Sequence, residues 1–192
     1  FLTADGDLWA CGKNNNIELG IPDFDDRWSP TPVDLHSIVN ENARNEDEKL
    51  HSDETIVSIS AGNMHSAALT SQGRVVVWGM NRHGQCGVPH ERKLVNNTGN
   101  LPADLAESAC AIPPTVLSID QLPADAQVSH VEAGFYDTFM ILDNGRMMRV
   151  GAGLGADIQM QNDSPAIMHF DAPGLNVTKV ASGWRHILAL AR

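Results

Sequence analysis

Apolar residues between Thr55 and Gly79 occur in three short runs separated by turn residues. The run TIVSISAG alternates between apolar and polar positions, HSAALT is small and apolar, and RVVVWG is β-branched and aromatic. The residues Ser-Gln-Gly, ending at Gly73, separate the second run from the third. Short apolar runs bounded by turn residues are typical of β-strands, so this stretch predicts three strands, the last two joined as an antiparallel hairpin.

The same marks recur along the chain at fixed offsets, which indicates a structural repeat. Adding 72 to the positions of four marked residues, Gly62, His65, Gly73 and Gly79, gives Gly134, Asp137, Gly145 and Gly151 without a gap. Adding 121 to the first two gives Gly183 and His186, and subtracting 67 from the last two gives Gly6 and Gly12. A proline also precedes an apolar residue by three positions at Pro30, Pro113 and Pro165.

The hairpin turns carry their own sequence signal. Asp5-Gly6 and Asn144-Gly145 stand at the position of Gln72-Gly73, and such pairs favour tight hairpins because their residues tolerate positive φ. The alternating run before each hairpin and the segment after each proline supply two further strands. Four antiparallel strands per unit describe the blade of a β-propeller, so the sequence predicts an all-β fold of four-stranded antiparallel blades.

The spacing of the marks divides the chain into two complete units, two halves and two insertions. We place a half repeat at 1–29, a repeat at 30–87 with an insertion at 34–55, a degenerate repeat at 113–159 preceded by an insertion at 88–112, and a half repeat at 165–192. The first insertion has seven acids and two bases, and we expect it to be mobile and solvated. Residues 100–111 form the one candidate helix, because a proline lies in the first turn and apolar residues recur four apart.

Composition limits the classes of partner and site. Of 192 residues, 42% are hydrophobic and 19% are charged, which favours a folded core. The formal net charge of −11 disfavours nucleic acid as a partner, and the basic stretch at 82–93 is expected to be a solvated loop. No apolar run approaches the roughly 18 residues of a membrane span. Three cysteines without a CxxC pair disfavour disulfides and structural zinc and favour an intracellular, cytoplasmic or nuclear, location.

The stretch from Gly62 to Gly87 follows the pattern G-x-x-H-x-x-A-L-T-x-x-G-x-V-x-x-W-G-x-N-x-x-G-Q-x-G, with Trp78 at the tryptophan and Cys86 where leucine is usual. This pattern resembles the repeat of the regulator of chromosome condensation family. The resemblance implies a seven-bladed propeller with about 50 residues per repeat. The chain holds about three blades of such a ring and begins within a repeat. We therefore expect the remaining blades to come from the rest of a longer chain or from another chain.

Two histidines, His65 and His186, are candidates for catalysis or metal binding. Because they recur at one position of a structural repeat and Asp137 replaces them in the degenerate copy, we interpret them as structural. Each is expected to be hydrogen-bonded to backbone inside its own blade. No paired carboxylates, nucleophile with a base, or phosphate-binding glycine loop stands out, and GAGLGA is not followed by a helix. The sequence predicts no catalytic residue, no cofactor and no metal, so the protein is not expected to be an enzyme.

The residues between the glycine and histidine positions are the candidates for binding a partner. They include Met64, Phe135, Tyr136, Trp184 and Arg185, and large aromatics with an arginine are typical anchors of protein interfaces. Equivalent loops lie on the same face of a propeller, so we expect one contiguous patch. The alternative is that the rings pack between blades and only fill space. The function predicted is a protein-interaction scaffold; the alternative, implied by the resemblance, is guanine-nucleotide exchange on a Ran-like small GTPase.

Overall fold

The computed structural model describes residues 1–88, 110–119, 122–151, 166–168 and 174–192, in which the strands form antiparallel sheets. The first sheet has two strands, β1 (Leu8–Gly12) and β2 (Arg27–Val33). The second has four, β3 (Ile56–Ala61), β4 (His65–Thr70), β5 (Val75–Met80) and β6 (Ala111–Val116), in the order β3-β4-β5-β6.

The third and fourth sheets repeat this arrangement. The third consists of β7 (Val128–Ala133), β8 (Asp137–Leu142), β9 (Met147–Gly151) and β10 (Ala166–Met168), again with sequence neighbours paired. The fourth is the pair β11 (Val177–Ser182) and β12 (Ile187–Ala191). Two four-stranded sheets flanked by two half sheets confirm the predicted all-β class and the blades of a partial propeller.

The glycines of the repeat occupy equivalent places in successive sheets. The amide N–H of Gly62, Gly134 and Gly183 donates to the carbonyl of the residue three positions later, at 2.9, 2.7 and 2.9 Å. Gly79 has φ of +101°, and a Cβ there would lie 2.7 Å from the Cα of His65 and the carbonyl oxygen of Met64. Only glycine fits this position, because the backbone of the preceding loop lies directly against it.

The central strands are buried on both faces, and each face belongs to a different core. Along β5, Val75 and Val77 pack in a cluster with residues of the third sheet, whereas Val76 and Trp78 pack with the first sheet and the insertion. The same alternation divides β8, where Met140 lies in the cluster shared with the second sheet. Every residue of β4, β5 and β8 is therefore buried, which explains why their apolar residues are consecutive rather than alternating with exposed polar ones.

The prediction that insertion 34–55 is mobile and solvated is wrong. Helix α1 (Leu35–Asn42) begins at Asp34, whose side chain accepts from the N–H of Ser37 at 3.0 Å, as an N-cap does. Its apolar side chains enter the core beside Trp78; the buried ones in this insertion are Leu35, Val39 and Leu50. Most acidic residues of the insertion are exposed to solvent and do not prevent this packing.

An ion pair fixes the end of the same insertion. The side chain of Glu54 is fully buried and pairs with Arg74, whose Nε donates to Oε1 at 3.0 Å. Burial alone would raise the pKa of Glu54, but the hydrogen bonds from Arg74 and other groups outweigh it and hold the pKa below its usual value. The insertion is thus anchored to the blade at both its apolar helix and its buried carboxylate.

The candidate helix at 100–111 falls almost entirely outside the described residues. Its last two residues, Cys110 and Ala111, are described, and Ala111 begins strand β6.

The outer face of β12 differs from its counterparts in the earlier blades. Leu188 and Leu190 are 67% and 64% exposed, whereas the equivalent residues of β4, Ala67 and Leu69, are 0% and 4% exposed. The difference arises because the residues of β4 are covered by the following sheet, whereas no described sheet follows β12.

The pair Leu69 and Leu190 tests this difference with one residue type at one repeat position. We expect Leu69→Ala to lower the free energy of unfolding by about 2–5 kcal/mol, because it leaves a cavity between two sheets. Leu190→Ala, the matched control, should change it by no more than about 0.5 kcal/mol. Urea denaturation of the 192-residue chain measures both, and equal losses would contradict the described packing.

Candidate functional site

The site is built from the loops that join the first two strands of successive sheets. Each loop is closed by the hydrogen bond from its glycine N–H to the carbonyl three residues on, so the two residues between have little backbone freedom. The loops also touch, since the N–H of Asn63 donates to the carbonyl of Gly134 at 3.1 Å. The side chains between glycine and histidine therefore emerge side by side on one rim.

Four rings and a guanidinium form a continuous row on this rim, which we call the aromatic strip: His83, Tyr136, Phe135, Trp184 and Arg185. The ring centroids of His83 and Tyr136 are 4.3 Å apart, those of Tyr136 and Phe135 are 4.5 Å apart and edge-on, and those of Phe135 and Trp184 are 5.8 Å apart. The guanidinium carbon of Arg185 lies 4.9 Å from the centroid of the Trp184 ring. The strip thus joins residues of three successive sheets.

Exposure along the strip increases toward the last sheet. Phe135 and Tyr136 are half-buried, Trp184 is 62% exposed, and Arg185 is exposed. The two rings of the middle loop are partly covered by their neighbours and partly exposed, so partner binding and space filling both stay predictions. Met64 lies in the equivalent loop of the preceding blade and is 36% exposed, but it takes part in none of these ring contacts.

His83 is the strip residue that sequence reasoning placed in a solvated basic loop. It lies in the turn after β5, which Asn81 holds by donating to the carbonyl of Val88 at 2.7 Å and accepting from the N–H of Cys86 at 2.9 Å. His83 is half-buried against Tyr136. Burial, followed by the charge of Arg82, lowers the pKa of His83 despite an opposing effect of Asp137. At neutral pH the ring is an uncharged stacking surface.

His65 is buried, with 1% exposure, but its side chain does not hydrogen-bond to backbone of its own blade, contrary to the expectation from the sequence. Its Nε2 lies 3.0 Å from the hydroxyl oxygen of Thr138 in β8, and that hydroxyl donates to the carbonyl of Gln85 at 2.7 Å. His65 therefore donates across the junction between two sheets. Because the structure of the next blade supplies the partner, repeat equivalence alone could not identify it.

The other histidine-position residues have different surroundings. The ring of His186 packs against Gly183, where a Cβ would lie 2.8 Å from its Nε2, yet the residue is exposed. Asp137 is buried and its Oδ1 is 3.8 Å from Nε of Arg149. Among the described residues, no group of three or more His, Cys, Asp or Glu side chains could hold a metal ion.

Trp78 also has a role within the fold rather than on the rim. It is 3% exposed, and its indole N–H donates to the carbonyl of Glu18 at 2.9 Å, which connects the second sheet to the turn after β1.

In the described part of the chain, no helix has the length and apolar character needed to span a membrane.

The sequence matches the family described as Regulator of chromosome condensation (RCC1) repeat over residues 5–69 and again over residues 56–85. One relative, RCC1 domain-containing protein RUG3, mitochondrial, of Arabidopsis thaliana, is 38% identical over 86 residues, which is 45% of this chain and 16% of that protein. The Probable E3 ubiquitin-protein ligase HERC3 of Homo sapiens is 28% identical over 98% of this chain and 15% of that protein. The chain therefore spans less than a fifth of each of these two relatives.

The fold is also that of solved structures. Prp20p of Saccharomyces cerevisiae, whose structure was described together with its binding properties to Gsp1p and histones, has a TM-score of 0.71 at 22% identity over 99% of this chain and 40% of that chain. Human WBSCR16 has a TM-score of 0.66 at 16% identity over 100% of this chain and 42% of that chain. At these identities the likeness concerns the fold.

The buried position of His65 generates a pH prediction. Burial lowers its pKa from 6.5 to about 4, so protonation favours the unfolded state. We expect the free energy of unfolding to fall by about 3 kcal/mol as the pH drops from about 6.5 to about 4, and this contribution to be fully present above pH 6.5. Urea denaturation at a series of pH values measures the slope, with His65→Gln as the comparison. Equal slopes in the two proteins would contradict the assignment, since the other histidines are shared.

Proposed function

Because the chain belongs to the regulator of chromosome condensation repeat family, we propose that it is a protein-binding part of a β-propeller whose partner docks on the aromatic strip. The observation that carries the proposal is the unbroken row of contacts from His83 to Arg185. Ring centroids no more than 5.8 Å apart connect three successive sheets. A partner lying on this row would contact all three sheets at once.

The composition of the strip supports a protein as the partner. Tryptophan, tyrosine and arginine are the residues most enriched among those that dominate interface energies. Their side chains are held by one another before a partner arrives, which reduces the conformational entropy lost on binding. Trp184 in particular still exposes 62% of its surface, so a partner could bury a large apolar area there.

The proposed role is non-enzymatic. The described residues hold no metal-ligand cluster, and His65, the most deeply buried histidine, is engaged with Thr138. The ligase activity in the name of HERC3 belongs to a protein of which the chain matches 15%. A cytoplasmic or nuclear location stays a prediction, since one relative is named mitochondrial.

A second candidate function, guanine-nucleotide exchange on a Ran-like GTPase, is favoured by one observation. The solved structure of Prp20p, with which the chain shares its fold, was described with binding to Gsp1p. The chain corresponds to 40% of that structure. Release of a fluorescent GDP analogue from Ran on addition of the 192-residue chain would support exchange, whereas binding without accelerated release would support the scaffold.

The strip can be tested by truncating its anchors. We expect Tyr136→Ala and Trp184→Ala each to weaken binding of a partner captured by the unaltered chain by about 1–3 kcal/mol, because each removes a ring from the shared row. Isothermal titration calorimetry with the purified partner measures the change.

Trp28→Ala is the matched control, since Trp28 is 81% exposed on β2 and takes no part in the strip contacts. It should change binding by no more than about 0.5 kcal/mol. Circular dichroism verifies that all three variants fold. Undiminished binding by the folded strip variants, or an equal loss in Trp28→Ala, would place the binding site elsewhere.

A further inference from the structure

We infer that Arg185 binds a side-chain carboxylate of the partner, so that the strip recognises an acidic residue two positions from an apolar one in an extended segment. This inference rests on the proposed function, because it names the chemistry of the partner at the same surface. It follows from the way in which Arg185 is held and from the lack of an ion pair between Arg185 and any carboxylate of the described residues.

The guanidinium of Arg185 is positioned by the tryptophan before it. The guanidinium carbon lies 4.9 Å from the Trp184 centroid, a distance at which a cation is attracted to the ring face. A guanidinium resting on a ring keeps its N–H donors at the edge of its plane, where they match the two oxygens of a carboxylate. The contact with Trp184 therefore restrains the position of the guanidinium on the rim.

The charge of Arg185 is not neutralised within the described part of the chain. Other arginines face carboxylates: Arg27 pairs with Asp23, Arg74 with Glu54, and Arg149 lies 3.8 Å from Asp137. No described carboxylate forms an ion pair with Arg185, whose guanidinium contacts the Trp184 ring. In a chain of net charge −11, an exposed arginine that no described carboxylate neutralises is a local site of positive potential.

The geometry favours an acidic side chain over the carboxylate of a chain terminus. Capture of a terminal carboxylate uses a nest of free backbone N–H groups. In this loop the N–H of Gly183 is already bonded to the carbonyl of His186 at 2.9 Å. The N–H of Gly183 is thus not available to a terminal carboxylate, whereas the Arg185 side chain offers a two-donor fork.

The distances between the rings of the aromatic strip indicate where the apolar residue of the partner segment would lie. In an extended segment, residues two positions apart project from the same face and are about 7 Å apart. With a carboxylate at Arg185, the second side chain reaches the area between Trp184 and Phe135, whose ring centroids are 5.8 Å apart. An apolar side chain fits there because both rings offer apolar surface.

The experiment titrates three peptides into the 192-residue chain and follows the indole N–H signal of Trp184 by NMR, assigned with Trp184→Phe. The probes are N-acetyl-Asp-Ala-Leu amide, the same peptide with Asn in place of Asp, and N-acetyl-Ala-Ala-Leu with a free carboxyl terminus. We expect the Asp peptide to bind about fivefold more tightly than the Asn peptide. The peptide with the free terminus should bind no better than the Asn peptide.

Substitution of the arginine identifies the group responsible. Arg185→Gln should bind the Asp and Asn peptides equally, whereas Arg146→Gln, at an exposed arginine of the β8–β9 turn, should keep the preference. Equal binding of the two peptides by the unaltered chain, a preference that survives Arg185→Gln, tighter binding of the free terminus, or no shift of the Trp184 signal would each overturn the inference. None of these outcomes alters the calorimetric test of Tyr136 and Trp184. The inference about the carboxylate can therefore be contradicted while the proposal that a partner binds the aromatic strip stands.

Discussion

Packing of sheet against sheet, with one strand serving two cores, is the constraint from which the other features follow. Val75 and Val77 of β5 face one neighbour, and Val76 and Trp78 face the other. The connections between β3 and β4, β7 and β8, and β11 and β12 are short, and the glycines Gly62, Gly134 and Gly183 close them. The residues on the rim lie side by side because the sheets that carry them are packed against one another.

The junction between the second and third sheets shows how closely core and rim are coupled. His65 fills the space above Gly62, where a Cβ would lie 2.7 Å from its Cε1, and reaches Thr138 of the next sheet. Thr138 in turn bonds to the turn that carries His83. One polar chain of contacts thus connects the buried histidine to the base of the aromatic strip, so the strip depends on the same junction that holds the sheets together.

The sequence was sufficient to predict the blades because their signals are local. Asn144-Gly145 specifies a hairpin on its own, and the offset of 72 residues fixes which glycines are equivalent. The sequence was insufficient for insertion 34–55. The prediction there relied on the number of acidic residues, whereas a few apolar residues, Leu35 and Val39 among them, decide the packing. It was also insufficient for His83, since the ring beside it lies in another repeat. Contacts between repeats have no counterpart in the pattern of a single repeat.

The division of each strand between two cores has an evolutionary consequence. Met140 and Leu142 pack in one cluster with Ala67 and Leu69, so a change of volume at one of these positions would have to be compensated in the adjacent repeat. Compensating substitutions are therefore expected between successive repeats rather than within one. A blade transplanted alone would carry two half-interfaces fitted to its former neighbours. After duplication of such a unit, the faces of adjacent sheets stay complementary only while the copies remain alike. Later substitutions on one face are therefore expected to be accompanied by substitutions on the face of the sheet packed against it.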